Sequence, residues 1–205
     1  MNRKLIILMM VLPIGFYSCK TIVAKKYGIK EPEIENLKSV TEALKHYAGA
    51  YPSYLCIFKD SAAFVDWFRN KNLPARSHFY NSDGYRIITQ DSMFCAGVEA
   101  TFAGKLKPSA IYRIDSLTVF DKLKRSLLPA GGKVDLDPSK YAFTCVIFWA
   151  RWMGKFNESS FAIAEAALKS QPGMNGKVNI LLVNMDIMDF WNTSRYLIKT
   201  EIDRR

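Results

Sequence analysis

Two stretches in the last third of the chain decide most of what it can fold into. Residues 142–149 form one continuous apolar run and residues 178–183 a second. Between them, residues 158–169 carry a helical pattern, and residues 172–176, with a proline and two glycines nearby, read as a turn. A strand that is apolar without alternation is covered on both faces, and two such strands joined by a helix imply a parallel crossover. The sequence therefore predicts an α/β fold, a sheet flanked by helices. With 205 residues, of which 49% are apolar and 13% aromatic, the chain has material for one packed domain with or without an appendage. A repeat array and a large multidomain enzyme are excluded.

The upstream pattern is compatible with that architecture. Ile34, Leu37, Val40, Leu44 and Tyr47 recur at helical spacing. Residues 54–58 are a short apolar run, and residues 61–72 read as a helix behind Asp60 or Ser61 as its cap. Residues 77–80 and 85–89 flank Asn81-Ser82-Asp83-Gly84, and Asp-Gly between two such segments signals a β-hairpin. Met93, Phe94, Val98 and Phe102 indicate a short helix. Leu117, Phe120, Leu123 and Leu127 predict another over residues 116–127, stopped by Pro129-Ala130-Gly131-Gly132.

Residues 1–18 read as an export signal. Asn2, Arg3 and Lys4 precede an apolar run of about 13 residues, where a spanning helix needs about 20. Its end, Phe16-Tyr17-Ser18-Cys19, resembles a bacterial lipobox, in which the cysteine is diacylated and becomes the new N-terminus. That resemblance implies lipidation of Cys19, a Lys-rich tether over residues 19–32 and one domain over residues 33–205. It also implies an exported protein anchored to the bacterial cell envelope and facing the periplasm. The net charge is +10, and loss of Arg3 and Lys4 still leaves 27 basic against 19 acidic side chains. Charge alone would suit nucleic acid, an anionic membrane or an acidic partner. Export argues against nucleic acid and leaves the membrane, against which Lys20, Lys25, Lys26 and Lys30 could lie, and an envelope protein as expected partners.

Phe148-Trp149-Ala150-Arg151-Trp152-Met153-Gly154-Lys155-Phe156 stands where the first apolar strand hands over to its helix. The second strand closes with Val183-Asn184-Met185-Asp186. Over about 50 residues this resembles thioredoxin, in which a buried strand ends in Phe-Trp-Ala-x-Trp-Cys-x-x-Cys and the next strand ends in a hydrophobic-Asn-x-Asp stretch. The resemblance implies a thioredoxin-like sheet, and it places Met153 and Phe156 at the two thiol positions and Ile147 where a buried carboxylate helps move protons. Thiol catalysis needs a thiolate, stabilised by a helix N-terminus, and a second thiol to resolve the mixed disulfide. A thioether, a phenyl ring and an aliphatic side chain supply none of this.

The resemblance also implies a topological change. A thioredoxin domain ends with a helix, a strand hairpin and a closing helix, and 22 residues after Val183 are too few for them. Leu73-Pro74 and the hairpin over residues 77–89 look like that missing part, so the sheet is expected in permuted or otherwise rearranged order.

Cys56 and Cys145 lie in apolar runs, Cys95 beside Phe94 and Ala96, and none belongs to a Cys-x-x-Cys pair. His46 and His78 are isolated, so no zinc spacing is present. Asp115, Asp121, Asp135, Asp137, Asp186 and Asp189 are scattered and read as charges on solvated faces. No cofactor is implied. The expectation is a lipid-anchored, redox-inactive thioredoxin-like module with a binding or structural role. Its candidate contact surface comprises Trp149, Trp152, Met153, Gly154, Lys155, Phe156 and Pro74. The rival is a thiol oxidoreductase or peroxidase-like enzyme using Cys95 or Cys56.

Overall fold

The protein is described by a computed structural model that covers residues 24–47, 51–69, 77–89, 96–169 and 177–203. The two apolar runs are its central strands, β7 (Phe143–Trp149) and β8 (Val178–Asn184), paired in parallel from Phe143 opposite Val178 to Trp149 opposite Asn184. Helix α5 (Phe156–Lys169) crosses between them. Around this pair lie β2 (Leu55–Phe58), the hairpin β3 (Ser77–Asn81) and β4 (Tyr85–Ile87), and the edge strands β5 (Ile114–Val119) and β6 (Leu127–Pro129). The seven strands run in the order β5-β4-β3-β7-β8-β2-β6. Strands β2, β8 and β7 are parallel, whereas β3 is antiparallel to β7 and β6 is antiparallel to β2.

This is a thioredoxin-like sheet with the hairpin taken from earlier in the chain. Ser77 pairs with Ile147 and Asn81 with Phe143, so β3 occupies the flank of β7 opposite β8. The turn of the hairpin depends on Gly84, whose φ of 79° is a left-handed conformation that costs glycine little, and on Asn81, whose Oδ1 accepts the Tyr85 N–H at 2.8 Å. The remaining helices are α1 (Leu37–Tyr47), α2 (Ser61–Arg69), α3 (Ala96–Ala103), α4 (Phe120–Lys124) and α6 (Arg195–Asp203). None of the described helices is long and apolar enough to cross a membrane.

Alternation along β7 divides the core into two layers. Phe143, Cys145, Ile147 and Trp149 face one side, where Val40 and Leu44 of α1 and Phe161, Ile163 and Ala164 of α5 cover them. Val146 and Phe148 face the other, against Phe64, Val65 and Trp67 of α2 and Ile198 of α6. Because both sides are covered, the strand is apolar throughout, which is why its sequence shows no period of two.

Two segments differ from their sequence reading. Residues 116–127, expected as one helix, are the end of β5, the five-residue α4, a turn and the start of β6. Phe120, Leu123 and Leu127 are buried as their spacing requires, but Leu117 is 94% exposed on an edge strand. The β-branched residues Ile114, Thr118 and Val119 favour extended backbone, and β4 provides the edge on which Ile114 and Val119 pair. Ile34, expected within the first helix, pairs instead as β1 (Ile34–Glu35) with β9 (Ile187–Met188), and α1 starts after Asn36, whose Oδ1 accepts the Ser39 N–H at 2.8 Å.

Phe148→Ala empties a fully buried site next to Trp67, and chemical denaturation should record a loss of about 3–5 kcal/mol. Leu117→Ala should change stability by less than about 0.5 kcal/mol. A large loss for Leu117→Ala would restore the helical reading of that segment.

Candidate functional site

The corner from Ala150 to Phe156 joins β7 to α5, and its backbone is locked to the end of β8. The Met185 N–H donates to Trp149 O at 2.8 Å, and the Arg151 N–H donates to the Asp186 carboxylate at 3.0 and 3.1 Å. Asn184 Nδ2 donates to Asp186 Oδ2 at 2.7 Å, while the Asp186 N–H returns to Asn184 Oδ1 at 3.0 Å. On the other side, Asn157 Nδ2 donates to Ala150 O at 2.7 Å. A 3₁₀ turn over Arg151–Met153 follows, and Gly154 reverses the chain with φ 54° and ψ −131°.

Asp186 is not a solvated charge, as its sequence context led us to expect, but a carboxylate that is 1% exposed. Burial pushes its pKa up to about 6, against the opposing effect of the Asn184 and Arg151 donors, and the neighbouring Glu35 charge pushes it further up. The Asn-x-Asp stretch carried the signal, since its register at the end of β8 turns the carboxylate under the corner.

Residues 27–35 lie across this corner. The Lys155 N–H donates to Tyr27 O at 2.8 Å, and the Lys30 N–H donates to Trp152 O at 2.9 Å. The Tyr27 ring stacks on Phe156 with centroids 4.8 Å apart. Glu35 pairs with Arg151 and also accepts from Ser39 Oγ at 2.7 Å, and Glu31 pairs with Arg195. Gly154 is required twice over: its φ suits glycine, and a Cβ there would collide with the carbonyl oxygens of Tyr27 and Gly28. The Lys-rich segment is thus a strap held by backbone bonds over its described part. Tyr27, Glu35 and Arg151 were not singled out by sequence reasoning, because Tyr27 acts through its backbone carbonyl and the Glu35–Arg151 pair joins positions far apart in the chain.

Of the residues expected on the contact surface, Trp152, Met153, Gly154 and Phe156 are half-buried and Lys155 is exposed. Trp149 lies elsewhere. It is fully buried against Phe161, part of the core rather than of any surface, because the odd-numbered positions of β7 face the α1 and α5 layer. Pro74 and Cys95 fall outside the described residues, as do Cys19 and residues 1–18.

The chemistry open to the corner is limited. Met153 and Phe156 offer no ionisable group, and the helix-start donor at Lys155 is already engaged by Tyr27 O. Cys56 and Cys145 are free thiols buried in β2 and β7, and burial pushes each pKa up to about 12. A thiol so placed is a poor nucleophile at neutral pH. Among the described residues, no group of three or more His, Cys, Asp and Glu is gathered to hold a metal ion.

Fold and corner together define an α/β sheet flanked by helices, in a thioredoxin-like strand arrangement, with Met153 and Phe156 at the described strand-to-helix turn. No family model matches the chain, nor does any curated protein or solved structure.

The strap and the buried carboxylate each give a test. Gly154→Ala should release the strap, seen as faster tryptic cleavage at Lys25, Lys26 and Lys30 with the circular dichroism spectrum retained. Because the folded pKa of Asp186 lies above the ordinary 3.8, the folded state holds its proton more tightly than the unfolded chain does. Its contribution to stability is therefore absent above pH 6, grows as pH falls through 6 and is complete below about 4, reaching about 3 kcal/mol. Asp186→Asn should remove that increment from the pH profile of urea unfolding; an unchanged profile would contradict the burial.

Proposed function

We propose that this protein is an exported, Cys19-anchored lipoprotein of the bacterial cell envelope whose redox-inactive thioredoxin-like domain is a binding module facing the periplasm. The observation that carries the reading is the corner itself. Its turn, both tryptophans and its lock to β8 are kept, while inert side chains stand at both thiol positions and the chain's own backbone occupies a donor at the helix start. What remains is a recognition surface of half-buried apolar side chains around Trp152, Met153 and Phe156, bordered by Lys155. Aromatic and Met side chains in such a patch favour protein contacts. The basic segment next to the anchor, with Lys25, Lys26 and Lys30 exposed, favours a membrane surface rather than nucleic acid in an exported chain.

Three measurements separate this reading from a thiol oxidoreductase. Expressed in a bacterial host, the full chain should incorporate labelled fatty acid and fractionate with membranes, and Cys19→Ser should abolish the label. Insulin reduction should proceed no faster than without the protein. The Met153→Ala, Phe156→Ala double variant should recover at least about fivefold less of whatever envelope protein the wild type captures, with its thermal midpoint followed alongside. Turnover of insulin, or capture unaffected by the double variant, would reject the module reading.

A further inference from the structure

Behind the corner, on the α2 and α6 side of the sheet, lies an open-mouthed cavity of about 260 Å³. Its walls are apolar: Phe64 and Phe68 from α2, Ile198 from α6, Trp152 from the corner, and Met185 and Ile187 beyond β8. Pro32 of the strap closes one side. Three charged groups also line the cavity, and they are not equivalent. Glu31 and Arg195 pair with each other, joining strap to α6. Lys199 has no ion-pair partner among the described residues, so the charged groups lining the cavity sum to one positive charge.

Pockets for drug-sized ligands span about 300–1,000 Å³, are mostly apolar and fix orientation with a few polar groups. This cavity falls just below that range and has one such group left over. We infer that it binds a small apolar monocarboxylate, an alkyl or aryl acid of about ten non-hydrogen atoms, with its body against Phe64, Phe68 and Trp152 and its carboxylate at Lys199. A dianion is disfavoured, because Arg195 is neutralised by Glu31 and a second negative charge would meet the Glu31 carboxylate. A neutral alkyl body would fill the same walls but leave Lys199 without a counter-charge. The site does not depend on redox inactivity or on a lipid anchor. Trp152 belongs both to it and to the proposed contact surface, so ligand binding and partner capture are measured separately.

The probe is octanoate, with 1-octanol as the uncharged control. Calorimetric titration of the full chain in buffer, with the heat of ligand dilution subtracted, should show saturable octanoate binding with Kd below about 1 mM. Octanol should bind about fivefold more weakly, the size of one partly exposed charge interaction. Lys199→Gln, on an exposed side chain that leaves the fold intact, should weaken octanoate about fivefold and leave octanol unchanged. Absence of saturation, equal affinity for acid and alcohol, or an unaffected Lys199→Gln variant would each overturn the proposal. None of these results bears on insulin reduction or on fatty-acid labelling at Cys19.

Discussion

The parallel pairing of β7 with β8 is the constraint on which the rest of the molecule depends. Its register puts Trp149 opposite Asn184, so the strand-to-helix corner and the segment leaving β8 emerge side by side. Met185 can then bond Trp149 O, Asp186 can turn under Arg151, and β9 lies where β1 joins it. A slip of one residue would exchange the two core layers of β7 and move Asp186 away from Arg151. The strap follows from the same register, because β1 leads Glu35 to Arg151.

At the corner, the fold keeps a geometry suited to presenting a reactive group and uses it to hold its own chain. Helix starts have N–H groups without intrahelical partners, and these attract acceptors of any kind. Here the acceptor is the peptide carbonyl of Tyr27, and the absence of a Cβ at Gly154 lets that backbone approach. The buried Asp186 opposes folding at neutral pH and persists because two donors, the backbone N–H of Arg151 and the side-chain Nδ2 of Asn184, meet its oxygens. Such a carboxylate fixes the corner's position rather than adding to its stability.

How much of this was legible depended on where each signal resides. The apolar runs of β7 and β8, and Asp83-Gly84 in the hairpin, are side-chain signals and were readable, as was the need for an earlier hairpin beside β7. The stretch from Leu117 to Leu127 misled because Phe120 and Leu123 from α4 and Leu127 from β6 are all buried while keeping helical spacing. Two-residue strands such as β1 and β9 are too short to show any period. The strap resembles a solvated tether, since what fixes it is Tyr27 O, Lys30 N and the missing Cβ of Gly154, none of which depends on apolar patterning. Asp186 looked like any surface carboxylate until the register of β8 placed it inside. The cavity near Lys199 draws on five separate segments, and no local sequence pattern reports such a meeting.

The rearranged hairpin has a consequence for how the chain is made. Strands β2, β3 and β4 leave the ribosome well before β7 and β8, although in the finished sheet β2 and β3 flank those two central strands. Until β7 and β8 arrive, β3 lacks its β7 neighbour and β2 its β8 neighbour, and each presents a bare hydrogen-bonding edge. Pairings such as Ser77 with Ile147 and Leu55 with Leu182 span large sequence separations, which raises contact order and slows folding. The nascent N-terminal half is therefore the species most exposed to intermolecular strand addition, and the last third of the polypeptide acts as the keystone that closes it.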